Sequence, residues 1–135
     1  MKIKSSIFVL LVIGCLFVSC KNKFSTDQKN TSEFAIMTFE KKEHNFGVIN
    51  QNSIVEYTFK FKNTGSKDLL ISNAQGSCGC TIPEYPKEAI KPSESGKIKV
   101  SFNSAGKSGN QQKSVTLTAN TEVGKELLTI NAQIK

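Results

Sequence analysis

From Phe34 onward, apolar residues recur at every second position rather than every third or fourth. Val55, Tyr57, Phe59 and Phe61 alternate with Glu56, Thr58, Lys60 and Lys62. Ile98, Val100 and Phe102 alternate with Lys97, Lys99 and Ser101. Val115, Leu117 and Ala119 are interleaved with Ser114, Thr116 and Thr118, and Leu128, Ile130, Ala132 and Ile134 with Thr129, Asn131 and Gln133. A period of two places one face of each segment in a core and the other in water, so each is predicted to be a strand. Weaker patterns predict strands over Phe34–Phe39 and Asp68–Asn73 and a short extended piece over His44–Ile49.

Turn chemistry separates these segments. Asn63-Thr64-Gly65-Ser66, Pro92 to Gly96, Ser104 to Asn110 and Val123-Gly124-Lys125 carry the residues that reverse a chain. About seven short strands with regular turns and no helical repeat read as an all-β fold, an immunoglobulin-like antiparallel β-sandwich.

The first residues follow a different pattern. Lys2 and Lys4 precede a nearly unbroken apolar run from Ile7 to Val18. The run is well short of the ~20 residues that span a bilayer as a helix, and it has the layout of an export signal. Its end, Phe17-Val18-Ser19-Cys20, resembles the lipobox of bacterial lipoproteins, with Phe17 in place of the usual Leu. That resemblance implies removal of residues 1–19 and lipidation of Cys20. A second box at Val12-Ile13-Gly14-Cys15 would leave Leu16-Phe17-Val18 at the mature terminus, whereas Cys20 is followed by polar Lys21-Asn22-Lys23. Lys21, rather than Asp, after the lipidated residue points to the outer membrane over the inner. Residues 20–33 are polar apart from Phe24 and read as a flexible tether. The sandwich is assigned to residues 34–135.

Charge narrows the partners. The formal charge of the 135 residues is +7, and removal of Lys2 and Lys4 leaves +5. The basic residues are all Lys. Without Arg there is no planar fork for guanine or phosphate recognition, and export argues further against nucleic acid. Lysines scattered along strands read as a solvated face and a guard against edge pairing, with a general attraction to anionic headgroups or polysaccharide.

Phe46-Gly47-Val48-Ile49, Phe61-Lys62-Asn63-Thr64-Gly65 and Ser77-Cys78-Gly79-Cys80-Thr81 stand in the order of a known pattern. Together they resemble the bacterial family catalogued as domain of unknown function 1573, over roughly Phe39 to Asn120. The Cys-Gly-Cys-Thr element is its specific part, and Pro92-Ser93 stands where the family more often has Pro-Gly. The resemblance implies an exported immunoglobulin-like domain and no established activity.

With Cys15 removed and Cys20 acylated, Cys78 and Cys80 remain as thiols in an oxidising compartment. On a flat strand their Cα atoms would lie ~6.7 Å apart, at the outer edge of disulfide geometry; a bend at Gly79 would shorten this. Three readings stand open for the pair: a local structural bridge, redox exchange or pairing with another protein's thiol, and Cu(I) binding by two soft ligands. A helping His or Met would strengthen the metal reading, and His44, Met37 and Met1 are the candidates. A four-ligand zinc site is not available, and His44 reads as a surface or turn residue. No catalytic residue, cofactor site or metal site is assigned.

Two functional classes follow. The first is a lipid-anchored envelope protein whose sandwich binds an envelope protein partner or plays a structural part, without catalysis. The second is a thiol-disulfide or Cu(I)-handling protein centred on Cys78 and Cys80.

Overall fold

The computed structural model describes residues 33–135, and the alternating segments become the strands of two facing sheets. In chain order they are β1 (Met37–Phe39), β2 (Glu43–Ile49), β3 (Ile54–Asn63), β4 (Ile71–Gly76), β5 (Thr81–Glu84), β6 (Ser95–Asn103), β7 (Gly109–Ala119) and β8 (Lys125–Ile134). Sheet 1 has the order β1-β3-β6-β5 and sheet 2 the order β2-β8-β7-β4. The architecture is the expected all-β immunoglobulin-like sandwich. The expected signal peptide, Cys20 and nearly all of the tether lie outside the described residues.

The period-two faces meet in the middle. Phe59, Phe61, Ile98, Val100 and Phe102 of sheet 1 face Val115, Leu117, Leu128 and Ile130 of sheet 2, all buried. Removing one large apolar side chain from water contributes about 2 kcal/mol, so the core of this sandwich is built mainly by β3, β6, β7 and β8.

Three features depart from the sequence reading. The sandwich is not wholly antiparallel, because β2 pairs with β8 in parallel, with a bulge between Asn45 and Val48. Periodicity sets which face of a strand is buried but not the direction of its neighbour. β4 lies at Ile71–Gly76, displaced toward the cysteines from the expected Asp68–Asn73. β5 was not expected: it has four residues, includes Pro83 and buries only Thr81, too short to show a period.

The chain crosses between the sheets at two corners on the way through β4. From β3 to β4 the crossing is organised by Asn63, fully buried at the end of β3. Its Nδ2 donates to the carbonyls of Lys67 (2.8 Å) and Ile90 (2.9 Å). Its Oδ1 accepts from the N–H groups of Gly65 (3.0 Å) and Ile36 (3.4 Å). Gly65 packs so closely on the Phe34 and Ala35 backbone that a Cβ there would collide with the Phe34 carbonyl. From β4 to β5 the crossing is the cysteine turn.

Candidate functional site

β4 is an edge strand of sheet 2 and β5 an edge strand of sheet 1, so the turn between them ties the two sheets together along one open side. Ser77 starts it: its N–H donates to the Ser114 carbonyl (2.8 Å), and its Oγ accepts from the Ser114 N–H (3.1 Å). The Thr81 N–H closes the turn on the Cys78 carbonyl (3.1 Å), and the Cys80 carbonyl accepts from the Asn103 N–H (2.9 Å) at the end of β6. The backbone is thus fixed to a central strand of each sheet, β7 and β6, before the sulfurs are considered.

Cys78 and Cys80 are joined in a disulfide, with Cα atoms 5.2 Å apart. This is well inside the usual span for a bridge and shorter than a flat strand allows. Both cysteines are half-buried, and Cys80 packs against the core while Gly79 is exposed between them. The glycine demand sits elsewhere than expected. A Cβ at Gly79 would meet nothing, whereas one at Gly76 would collide with the Thr81 carbonyl. The close approach is between the end of β4 and the start of β5, not at the apex of the turn.

Thr81 is the residue whose role sequence reasoning missed. It is 3 % exposed, and its Oγ1 lies 3.5 Å from Cys78 Sγ and 3.9 Å from Cys80 Sγ. Bridged sulfurs carry no proton, so the hydroxyl is the donor. The same hydroxyl could donate to a thiolate if the bridge opened. Its place directly after Cys80 was the available signal.

The other candidates are not gathered here. His44 lies on β2 and Met37 on β1, the edge strands of the opposite open side. The His44 ring stacks on Tyr57 (centroids 3.6 Å apart, planes 7° apart) and meets Phe46 edge-on at 4.6 Å. Burial, followed by the charge of Lys41, holds its imidazole below the usual histidine pKa. Its role is to close the β1/β2 side of the sandwich by aromatic contact between β2 and β3. No group of three or more His, Cys, Asp and Glu side chains able to hold a metal occurs among the described residues.

The lysines are also placed differently from expectation. The four edge strands β1, β2, β4 and β5 contain none. Strand lysines are confined to interior strands: Lys60 and Lys62 on β3, Lys97 and Lys99 on β6, Lys113 on β7 and Lys125 on β8. They therefore guard no edge. Other devices blunt three edges: β1 has three residues, β5 contains Pro83, and β2 is bulged at Gly47, where φ is +69°. On β4 such devices are confined to its start, where the register shifts between Ile71 and Asn73 and the Tyr85 hydroxyl donates to the Ser72 carbonyl (3.3 Å); Asn73 to Gly76 carry neither Lys nor Pro.

The family of proteins of unknown function DUF1573 matches residues 37–134, from the start of β1 to the end of β8. The chain belongs to this family. No curated protein matches it. Among solved structures, a protein of unknown function from Porphyromonas gingivalis is similar at 10% identity with a TM-score of 0.64, covering 73% of this chain and 46% of that one. The secreted serine protease VesC from Vibrio cholerae matches at 10% identity and a TM-score of 0.58, over 78% of this chain and 24% of that one. The PapD-like domain 7 of human CEP192 matches at 10% identity and 0.59, over 76% of this chain and 87% of that one. The chain thus spans less than half the length of the first two. At such identities the likeness is one of fold, and the fold is that of PapD-like and immunoglobulin-like domains.

Proposed function

We propose that this DUF1573 protein is a lipid-anchored module of the cell envelope, acting by binding rather than catalysis, and that its protein partner adds a strand along β4. The observation that carries this reading is the second half of the β4 edge: Asn73 to Gly76, with neither lysine nor proline, pair with β7 in unbroken register and are fixed at their end by the cysteine turn. Backbone groups on such an edge supply affinity in strand addition, and the side chains beside them supply selectivity. Asn73 and Gln75, both exposed, are those side chains. Lipid on Cys20, with outer-membrane placement, brings the module to its partner.

Two experiments test this reading. Mass spectrometry of the mature N-terminus should find an acylated peptide beginning at Cys20; an unmodified peptide beginning after it would remove the anchor. Crosslinking in cells should capture an envelope protein, and the Cys78→Ser/Cys80→Ser variant should weaken that capture.

The Thr81 hydroxyl beneath both sulfurs favours a second reading, thiol exchange or Cu(I) handling at the half-exposed bridge. A reduction potential above about −300 mV, or stoichiometric Cu(I) uptake lost in Cys78→Ser, would move the assignment to it.

A further inference from the structure

The outer face of sheet 1 gathers lysines across its two central strands. Lys60 on β3 lies directly opposite Lys97 on β6. In the next row on that face, Lys62 is flanked by Thr38 of β1 and Ser95 of β6. In the row on the other side, Thr58, Lys99 and Glu84 align across β3, β6 and β5. Directly opposed side chains start about 5 Å apart, and like charges so placed are destabilising.

Two of the described lysines are held in ion pairs, one of them, Lys99, on this same face. Lys99 meets Glu56 Oε1 at 3.0 Å, and Lys42 meets Glu126 Oε2 at 2.7 Å. Among the described residues, Lys60, Lys62 and Lys97 form no ion pair, although all three line one open groove of about 480 Å³. Thr38, Thr64 and Ser95 add hydroxyls to that groove, and Glu40 is its one carboxylate. The opposite outer face, on sheet 2, is mostly uncharged, with Asn45, Gln112, Ser114, Thr116, Thr129 and Asn131 between one carboxylate, Glu43, and one lysine, Lys125. Lysine is therefore concentrated on sheet 1, where Lys60, Lys62, Lys97 and Lys99 share the outer face with Glu56 and Glu84, against Lys125 with Glu43 on sheet 2.

We infer that the outer face of sheet 1 docks on the phosphate-bearing headgroups of an anionic membrane. Three lysines on flexible stems along an open sheet face suit an array of phosphates, each lysine acting as a point charge. A single enclosed phosphate would call for a forked or buried donor, and this groove is open. The path of the chain agrees with this orientation. The described residues begin at Glu33, and the next residues pack on Gly65 at the Thr38–Lys62 end of the same sheet. Thirteen residues, Lys21 to Glu33, separate that point from Cys20. Thirteen residues reach at most about 45 Å even when fully extended, which bounds the distance of this face from the anchor. This orientation rests on the anchor reading, but the charge argument does not.

The test uses Lys21–Lys135 without acyl group, which carries every core residue from Ala35 to Ile134. Sedimentation with vesicles of phosphatidylglycerol and phosphatidylcholine should show binding that is absent with phosphatidylcholine alone and falls with salt. Lys60→Gln/Lys62→Gln/Lys97→Gln should lower it roughly 100-fold, at about fivefold per lysine. The charge-matched Lys107→Gln/Lys125→Gln/Lys135→Gln control should stay within about threefold of the parent, since surface charge away from the face contributes little beyond a Debye length. Circular dichroism and urea midpoints confirm that both variants are folded. Equal losses in the two variants, no binding to anionic vesicles, or displacement by millimolar inorganic phosphate at constant ionic strength would each overturn the proposal. Because the acyl chain is absent, failure here leaves the anchor to be judged by its own mass spectrum.

Discussion

The two crossings that flank β4 solve one problem with different chemistry. At the Asn63 corner a fully buried amide satisfies two carbonyls and two N–H groups, and the glycine beside it admits a neighbouring backbone. At the cysteine turn the chain is held by backbone hydrogen bonds to β6 and β7, with a half-buried disulfide lying outside them. The first corner is sealed, so its groups act on the fold. The second presents covalent chemistry to solvent beside the Asn73–Gly76 end of the β4 edge. A bridge that closes only three residues removes little unfolded-chain entropy, roughly 1.6 kcal/mol in the loop-entropy account. The difference teaches that the disulfide shapes a surface, while the buried polar network and the tight glycine contacts carry stability.

The greatest losses should come from the buried amide and the tightest glycine. Asn63→Ala leaves the Lys67 carbonyl and the Gly65 N–H without their partner and takes one of two donors from the Ile90 carbonyl, which keeps the Leu69 N–H, and it should cost about 3 kcal/mol. Gly76→Ala should cost a similar amount, because its Cβ meets backbone at Thr81 that cannot swing away. Urea unfolding at unchanged slope measures both; a loss under 1 kcal/mol in either would show that the corner relaxes freely. Next comes Cys78→Ser/Cys80→Ser, expected to lose about 1.6 kcal/mol at most. A loss as large as that of Asn63→Ala would make the turn a staple and erase the contrast. Gly79→Ala should shift stability by no more than about 0.5 kcal/mol, as its Cβ points into open space.

A smaller effect belongs to the opposite side of the sandwich. The folded state holds His44 below its ordinary pKa, so the unfolded chain binds that proton more readily. The stability contributed by neutral His44 is fully present above the ordinary histidine value of about 6.5 and is lost as pH falls through the lower folded value. Unfolding midpoints should therefore drop modestly in mildly acid solution, and His44→Phe should flatten that part of the profile. A profile unchanged by the substitution would remove His44 from the pH response.

The sequence made much of the fold legible because its central strands are long and cleanly alternating. β3, β6, β7 and β8 bury the residues that the period assigns to the core. The edges were harder to read. β5 is short and contains proline, β4 slid toward the cysteines, and the parallel partner of β2 leaves no trace in its own pattern. At the site, Cys78 and Cys80 stood out by composition alone. Thr81 and Gly76 did not, because their importance comes from a sulfur above one and a carbonyl against the other. The lysine face was invisible for a related reason: Lys60 and Lys97 meet only through strand register.

The central claim is that the disulfide of the cysteine turn serves contact along β4 while the Asn63 network and the tight glycine contacts serve the fold. Photocrosslinking in cells from a probe at Gln75 on β4, compared with one at Gln133 on interior strand β8, tests this most directly. A discrete envelope adduct should form from Gln75 and not from Gln133. It should fall at least about tenfold, roughly 1.4 kcal/mol of binding, in the Cys78→Ser/Cys80→Ser background while the domain stays folded. An adduct from Gln133 as strong as that from Gln75, or one from Gln75 indifferent to loss of the bridge, would contradict the account.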